Sequence, residues 1–289
     1  MGLIYDVLDK RVPLAAVILL KLIPARRSTV EYDIIKRQSR LPERNGNTSI
    51  IFFSTHKAGS SIANRLLKRL ANKNGLTTID YDSFIAVNQL DENASFNNPS
   101  FLDRAFLPSG YYYGCFRTFR EIPNIENFKV IVQLRDPRDL LVSHYYNVRD
   151  IRTNRSFRAH KERQVARKGT IDDHVLKALP RFKKVMQDYQ EFYDSQEEAY
   201  FTTFEKMIRD PEKWYEDIAS FAGMDLEQSL IKHINKTIKS IPEKKNHTNH
   251  HRSARPGEHR RKLEVQTIEI LNRELAEVIS FHKHINQLS

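Results

Sequence analysis

The feature of the sequence that most constrains its fold is the alternation of short apolar runs with helical patterns. The apolar run at 50–53 is typical of a strand buried on both faces of a sheet, and residues 61–72 then repeat apolar side chains at helical spacing. Further strand-like runs occur at 75–81, 111–116, 128–134 and 199–204. Because strands that alternate with helices pair in parallel, we predict a three-layer α/β/α fold with a central, mainly parallel sheet.

The remaining segments fit this architecture as helices and connections. A helix is predicted to begin at Pro211 and to end at Gly223, and residues 263–288 are helical in pattern. Residues 88–109 are predicted to form a loop. The predicted organisation is an N-terminal helical extension and linker at 1–48 and one α/β domain at 49–289, with a helical insertion at 149–198.

Charge and composition limit the classes of partner. The net charge of +11 favours an anionic partner, such as a polyphosphate-like cofactor, an acidic polymer, a nucleic acid or a membrane. The apolar content of 40% is high enough for a packed core. Cys115 is the only cysteine, so an intramolecular disulfide is excluded, which fits a reducing compartment and a cytoplasmic location.

The apolar segment 12–23 is the candidate for contact with a membrane. It is interrupted by Lys21 and is shorter than the roughly 20 residues that span a bilayer. We therefore favour a helix docked on the body of the protein over an interfacial membrane anchor.

The loop "STHKAGSS" at 54–61 has the composition of an anion site. It joins a predicted strand to a predicted helix, so backbone N–H groups at the helix N-terminus can bind an anion. Gly59 permits a close approach of the backbone, and Lys57 adds a positive charge. Ser60 and Ser61 can cap the helix or donate to the anion. The alternative is a plain capped helix with an exposed lysine, and the lysine precedes the glycine, unlike in an ATP-binding loop.

A second candidate anion site lies in "VIVQLRDPRDLLVSHYYN" at 130–147. Arg135 ends a predicted strand, and Ser143 follows eight residues later in a predicted helix. A guanidinium and a hydroxyl could grip one phosphate together, or Arg135 could simply pair with Asp136 or Asp139. Because both loops follow strands of a parallel sheet, we expect them to face one crevice.

Together the two stretches resemble those of the PAPS-dependent sulfotransferases, which use 3′-phosphoadenosine 5′-phosphosulfate. The family's loop of form K-x-G-[ST]-[ST] is matched by "KAGSS". The residues that the resemblance assigns to the 5′-phosphosulfate are Lys57, Ala58, Gly59, Ser60 and Ser61. It assigns the 3′-phosphate to Arg135 and Ser143, and it implies the P-loop-NTPase-like sulfotransferase fold and the product adenosine 3′,5′-bisphosphate.

Two later segments extend the resemblance to roughly residues 49–275. Phe204, in "TFEKMIRDP", matches an aromatic position that lies near adenine in the family. The segment 252–260 resembles the motif R-K-G-x-x-G-D-W and implies cofactor contacts for Arg252 and Gly257. The departures from that motif are Ser253, Ala254 and His259, with Glu258 in place of its acid.

The resemblance also implies a mechanism, in-line sulfuryl transfer in which Lys57 stabilises the charge that develops on the leaving group. A general base must then accept a proton from the acceptor. The histidine that many family members use has no counterpart in "YYYGCFRTF". We therefore expect Asp82 as the base, with Asp80 and His56 as further candidates, although each aspartate could be a surface carboxylate without a role.

Two further segments carry clustered basic or imidazole side chains. Residues 149–168 are rich in arginine and lysine, which indicates either a solvated helical face or a mobile lid over the acceptor side of the site. His247, His250 and His251 are close in sequence, but carboxylate partners for a metal are not evident, so we expect no metal.

The leading hypothesis is a sulfotransferase that acts on a hydroxyl or amine of a small-molecule or glycan acceptor. The first alternative is a kinase-like nucleotide phosphotransferase, which would require the lysine order of the ATP-binding loop. The second is a binder of nucleic acid or of an anionic polymer, without enzymatic activity. Because basic residues fall at the phosphate-binding positions of a mononucleotide site, the enzyme is favoured and no nucleic-acid partner is expected.

Overall fold

A five-stranded sheet forms the centre of the computed structural model, which describes residues 30–44, 46–88, 90–91, 95–151, 157–195, 198–239 and 256–288. The strands are β1 (Ile50–Ser54), β2 (Thr77–Ile79), β3 (Tyr111–Phe116), β4 (Lys129–Leu134) and β5 (Ala199–Thr203). Their order across the sheet is β2-β3-β1-β4-β5, and every neighbouring pair is parallel. The prediction of a three-layer α/β fold with a mainly parallel sheet is confirmed.

The helices connect successive strands and cover the sheet. Those before β4 are α1 (Val30–Lys36), α2 (Ser60–Lys73), α3 (Tyr81–Asn88) and α4 (Pro99–Ala105). Those between β4 and β5 are α5 (Pro137–Tyr146), α6 (Phe157–Lys168) and α7 (Ile171–Ser195), with a π-helical turn at Asn147–Ile151. Those after β5 are α8 (Phe204–Arg209), α9 (Pro211–Ala222), α10 (Gln228–Lys239), α11 (His259–Lys262), α12 (Val265–Glu274) and α13 (Ala276–Leu288).

The strand β1 is buried on both faces, as its continuous apolar sequence predicts. Ile50 and Phe52 lie in one apolar cluster with side chains of α2, α9 and α10. Ile51 and Phe53 lie in a second cluster with side chains of α3, α5 and α7. Because successive side chains of a strand point to opposite faces, these two clusters are the two interfaces between the sheet and its flanking layers of helices.

The helix α9 begins and ends at the residues that the sequence predicts. Pro211 occupies the first turn, and the Asp210 side chain accepts a hydrogen bond from the backbone N–H of Lys213. Gly223 closes the helix with φ 64°, a left-handed conformation that favours glycine.

The prediction that residues 88–109 form a loop is wrong at α4. This helix begins at Pro99, a residue suited to the first turn, and buries Phe101 and Ala105. Two buried positions in seven residues give too short an apolar repeat to be recognised within the polar segment around it.

Several predictions concern residues outside the described ranges, namely the apolar segment 12–23, Arg252, His247, His250 and His251. Across the described ranges, no helix is long and apolar enough to cross a membrane. Within the same ranges, no group of three or more His, Cys, Asp or Glu residues could hold a metal ion.

Candidate active site

The loop between β1 and α2 adopts a strained backbone conformation. Lys57 has φ 72° and Gly59 has φ 74°, so both residues are left-handed. This conformation costs a residue with a side chain about 1 kcal/mol or more, and it persists at sites where the surroundings hold it in place. The helix α2 begins at Ser60, and Ile62 N and Ala63 N already donate to the carbonyl of Gly59. Among the described residues, the N–H groups of Ser60 and Ser61 are therefore the ones of the first turn that can bind an anion.

The end of β4 supports this loop by hydrogen bonds. The carbonyl of Gln133 accepts from Thr55 N at 3.2 Å, and Gln133 Nε2 donates to the carbonyl of Ala58 at 2.6 Å. Two residues later, Arg135 Nη1 donates to the carbonyl of Lys57 at 3.0 Å. The predicted phosphate loop and the predicted phosphate arginine therefore belong to one structural unit.

The guanidinium of Arg135 is buried with part of its hydrogen-bonding capacity unused. The residue is 3% exposed, and its Cζ lies 4.3 Å from the centre of the Phe204 ring. Its Nε and Nη2 atoms are buried and have no hydrogen-bond partner among the residues that the structure describes. Because buried N–H groups are almost always hydrogen-bonded, these two atoms are where an anionic ligand could bind.

Phe204 also contacts the loop. A Cβ atom added to Gly59 would lie 2.7 Å from Phe204 Cδ2 and 2.9 Å from Met207 Cε, so only glycine fits against this ring. Phe204 is 4% exposed. Its ring therefore sets the distance between the loop and the Arg135 guanidinium.

One face of α5 lies opposite these groups. Asp139, Ser143 and Asn147 are spaced four residues apart, so their side chains follow one another on the same side of the helix. At one end of this row, Asp139 Oδ2 lies 3.9 Å from Arg135 Nη2. At the other end, Asn147 Oδ1 accepts a hydrogen bond of 3.3 Å from Lys57 Nζ. By helical spacing, Ser143 lies between the two cationic side chains.

Asp139 joins this row to the turn before α11. The residue is fully buried and accepts hydrogen bonds from Gly257 N at 2.6 Å, His259 N at 2.9 Å and His259 Nδ1 at 2.6 Å. Burial acts to raise the pKa of Asp139, but the His259 hydrogen bond and the Arg135 charge outweigh it and hold the pKa at about 2. The carboxylate is therefore ionised in the core, and it balances the charge of Arg135.

The second acidic residue of this loop, Asp136, is not the partner of Arg135. It accepts hydrogen bonds from Arg138 Nη2 at 2.6 Å and from Arg138 Nε at 3.0 Å. Its backbone N–H donates to Glu205 Oε1 at 3.2 Å. The carboxylate of Asp136 is thus paired with Arg138, and the carboxylate near Arg135 is that of Asp139.

The two candidate aspartates for the general base have different surroundings. Asp80 Oδ2 accepts from Lys68 Nζ at 2.6 Å, and Asp80 Oδ1 accepts from Ser83 N at 3.0 Å. These contacts tie it to α2 and to the first turn of α3.

Asp82 lies beside the residues that follow β3. Its Oδ2 accepts from Arg117 N at 3.1 Å, and its Oδ1 lies 3.6 Å from Arg120 Nη2. Burial raises the pKa of Asp82 above its ordinary value, although both arginines act in the opposite direction. Because β3 pairs with β1, Asp82 lies at the same edge of the sheet as the loop that carries His56 and Lys57.

The structure thus brings most of the sequence-predicted residues to one edge of the sheet. The loop residues at 57–61, Arg135 and Phe204 form one contact unit, and Gly257 is joined to it through Asp139. The basic residue Arg149, which belongs to the segment predicted as a solvated face or lid, pairs with the neighbouring Asp150 at 2.7 Å.

The supporting residues were given no role in the site by the sequence analysis, although Asp139 was named as a possible ion-pair partner of Arg135. These residues are Gln133, Asp139, Asn147, Glu205 and His259. The spacing of four between Arg135, Asp139, Ser143 and Asn147 is the one signal that could have identified two of them. The others depend on contacts between distant parts of the chain.

Comparison with known proteins identifies the family and the fold of this chain. The family model described as sulfotransferase domain matches residues 121–277, which is more than half of the chain. No curated protein matches the sequence significantly. A mouse sulfotransferase complexed with PAP is similar over 85% of this chain and 88% of its own, with a TM-score of 0.52 and 16% identity.

A retinol dehydratase in a complex with retinol and PAP is similar over 82% of both chains, with a TM-score of 0.50 and 16% identity. At this identity the two likenesses establish the fold, and the family model establishes the family. The chain therefore belongs to the sulfotransferase family.

Proposed function

We propose that this protein transfers a sulfuryl group from 3′-phosphoadenosine 5′-phosphosulfate to a hydroxyl or amine of a small-molecule or glycan acceptor. The observation that carries the proposal is the state of Arg135. Its guanidinium is buried, its Nη1 donates to the carbonyl of Lys57, and its Nε and Nη2 atoms have no hydrogen-bond acceptor among the described residues. A buried guanidinium with unused hydrogen-bond donors, next to the backbone N–H groups at the N-terminus of a helix, is suited to bind a phosphorylated ligand.

The residues present fit the two anionic ends of this donor. The amides at the start of α2 and the side chain of Lys57 would hold the 5′-phosphosulfate. Arg135 and Ser143 would hold the 3′-phosphate. Ser143 follows Asp139 by one helical turn, on the face of α5 that is turned toward Arg135. We assign Phe204 to the adenosine end, where its ring already supports both the loop and the guanidinium.

The donor supplies a sulfur–oxygen bond that breaks as a new bond forms between sulfur and the acceptor atom. Negative charge then develops on the departing phosphate oxygen. Lys57 is suited to stabilise this charge, because its ammonium is placed by Asn147 and its backbone is fixed by Arg135. These groups are positioned before the reaction, so they need little reorganisation during it.

Asp82 is the residue to which we assign removal of the acceptor's proton. Its raised pKa makes it a stronger base than an ordinary aspartate, and it lies at the same edge of the sheet as Lys57. The carboxylate oxygens of Asp80 are already bonded to Lys68 and to the backbone of α3. His56 remains the further candidate in the loop itself.

A small hydroxylated molecule is the acceptor class that we favour. The related retinol dehydratase is described with retinol bound, and retinol is a small alcohol. A glycan is the second acceptor class. Both classes can be tested by incubating the protein and the donor with a panel of phenols, alcohols, amines and oligosaccharides and measuring sulfuryl transfer.

Calorimetry with adenosine 3′,5′-bisphosphate and with AMP tests the donor site, since AMP lacks the 3′-phosphate. We expect Arg135→Ala to weaken binding of the bisphosphate by roughly 10- to 100-fold. AMP binding should weaken less, because AMP loses only the support that Arg135 gives to the Lys57 backbone. Lys57→Ala should retain bisphosphate binding but lose roughly 100-fold or more in the rate of transfer to the panel. Binding that requires Mg²⁺ and prefers ATP would instead indicate a phosphotransferase.

A further inference from the structure

We infer that the turn at 257–259 occupies the carboxylate of Asp139 and so keeps the Arg135 guanidinium free for the anionic ligand. His259 is the positioning residue in this arrangement. The inference rests on the proposed function, because it concerns the 3′-phosphate end of the same site. It assigns a role to a histidine at a position where the sequence departs from the family motif.

The distance between Asp139 and Arg135 is the first observation. An arginine and an aspartate four residues apart can form a bidentate pair, in which two N–H groups donate at about 2.7–2.9 Å. Here the closest approach is 3.9 Å, although both side chains are buried. Arg135 Nε and Nη2 therefore remain without a hydrogen-bond acceptor within the described part of the chain.

The acceptors of Asp139 are taken by the turn instead. Oδ1 receives both the backbone N–H and the ring Nδ1 of His259, and Oδ2 receives the backbone N–H of Gly257. These bonds measure 2.6–2.9 Å, the range of charge-assisted hydrogen bonds. Three short bonds from one turn thus hold the carboxylate in an orientation in which it balances the charge of Arg135 without consuming its donors.

The chemistry of the ring makes His259 a specific partner. A carboxylate only accepts hydrogen bonds, so Nδ1 of the His259 ring must carry the proton that lies between them. The ring is 2% exposed, so water does not compete for the bond. Without this ring donor, Asp139 Oδ1 would lose one of its two partners, and the carboxylate could turn toward Arg135, whose Nη2 lies 3.9 Å from Oδ2.

The experiment compares the affinities of His259 variants for adenosine 3′,5′-bisphosphate and for AMP. In His259→Phe, which has a ring but no donor, we expect the bisphosphate affinity to fall by about tenfold, or about 1.4 kcal/mol, with little change for AMP. His259→Asn retains a donor at the position of Nδ1, and we expect it to stay within about threefold of the unmodified protein.

A double variant separates this inference from a merely structural role. In His259→Phe with Asp139→Asn, the competing charge is gone, so we expect the bisphosphate affinity to recover toward that of the unmodified protein. If His259 only stabilised the turn, the second substitution would remove further hydrogen bonds and lower the affinity again. No recovery would overturn the inference.

Asp172→Asn is a matched control, because Asp172 Oδ1 accepts a hydrogen bond of 3.0 Å from Glu264 N and so fastens the segment that follows α11. Asp172→Asn should leave the ratio of bisphosphate affinity to AMP affinity unchanged. If Asp172→Asn lowered this ratio as much as His259→Phe does, the inference would also be overturned. Should His259→Phe fail to fold, a folded His259→Asn that loses tenfold would refute it. If Arg135→Ala leaves the ratio unchanged, the proposed function fails rather than this inference alone.

Discussion

Replacing Gly59 with alanine tests how the loop and the arginine are coupled. Gly59 is left-handed with φ 74°, and an added Cβ would lie 2.7 Å from Phe204 Cδ2 and 2.9 Å from Met207 Cε. The substitution therefore imposes both backbone strain and overpacking. The same helix offers a matched control at its other end, where Gly75 has φ 78° and its Cβ would meet nothing within 4 Å in the described part of the chain.

The two contributions can be estimated separately. The left-handed conformation should cost an alanine about 1 kcal/mol at either position, so Gly75→Ala measures this contribution alone. Overpacking against buried side chains typically adds about 1–3 kcal/mol. We therefore expect Gly59→Ala to lower the free energy of unfolding by about 2–4 kcal/mol and Gly75→Ala by about 1 kcal/mol. Urea denaturation followed by circular dichroism measures both values.

The consequence for function follows from what Phe204 contacts. Relief of the clash at Gly59 requires the ring to move, and the Arg135 guanidinium lies 4.3 Å from its centre. Gly59→Ala should therefore weaken binding of adenosine 3′,5′-bisphosphate, whereas Gly75→Ala should not. If both variants lose equal stability, or if Gly59→Ala binds the bisphosphate normally, the coupling through Phe204 is wrong.

Three further predictions concern named side chains. Asn147→Ala should lower the transfer rate by about tenfold with unchanged bisphosphate affinity, and it should have no effect in a Lys57→Ala background, because the two residues act through one contact. Asp82→Asn should abolish transfer. Because burial raises the pKa of Asp82, acidification should protonate this base, and so lower the activity of the unmodified protein, at a higher pH than for an ordinary aspartate. The pKa of Asp139 is lowered from 3.8 to about 2, so its carboxylate should contribute about 2 kcal/mol to the free energy of unfolding. This contribution should be fully present above pH 3.8 and should be lost as the pH falls through 2. Urea unfolding of the unmodified protein and of Asp139→Asn across this pH range measures it.

The parts of the fold that the sequence predicted are those specified by local patterns. The run at 50–53, the glycine at position 59 and the helical repeat after it define a strand, a loop and a helix without reference to the rest of the chain. The short helix α4 was missed because seven residues with two buried positions are too few to show a helical repeat. Of the predicted strand at 75–81, only the three residues of β2 pair in the sheet. In both cases tertiary packing, rather than intrinsic preference, determines the structure.

The residues that we propose for phosphate binding could be selected from the sequence for the same reason, since each belongs to a loop with its own signature. The residues that orient them could not. Asp139 meets Gly257 and His259 across 118 and 120 residues of sequence, and no periodicity connects such positions. Asn147 could have been recognised from its spacing of four after Ser143, but only once that face of α5 was known to oppose the loop.

The electrostatics of the site explain why these distant contacts matter. Burying Arg135 requires a compensating negative charge, and the same charge would block the site if it paired directly with the guanidinium. The fold meets both requirements by placing Asp139 nearby at 3.9 Å and directing its oxygens to the turn at 257–259. The net charge of +11 can attract an anion to the protein, but whether Arg135 can bind it depends on how this one carboxylate is occupied. Substitution of His259 should therefore alter the affinity for the 3′-phosphate without changing any residue that we assign to the cofactor.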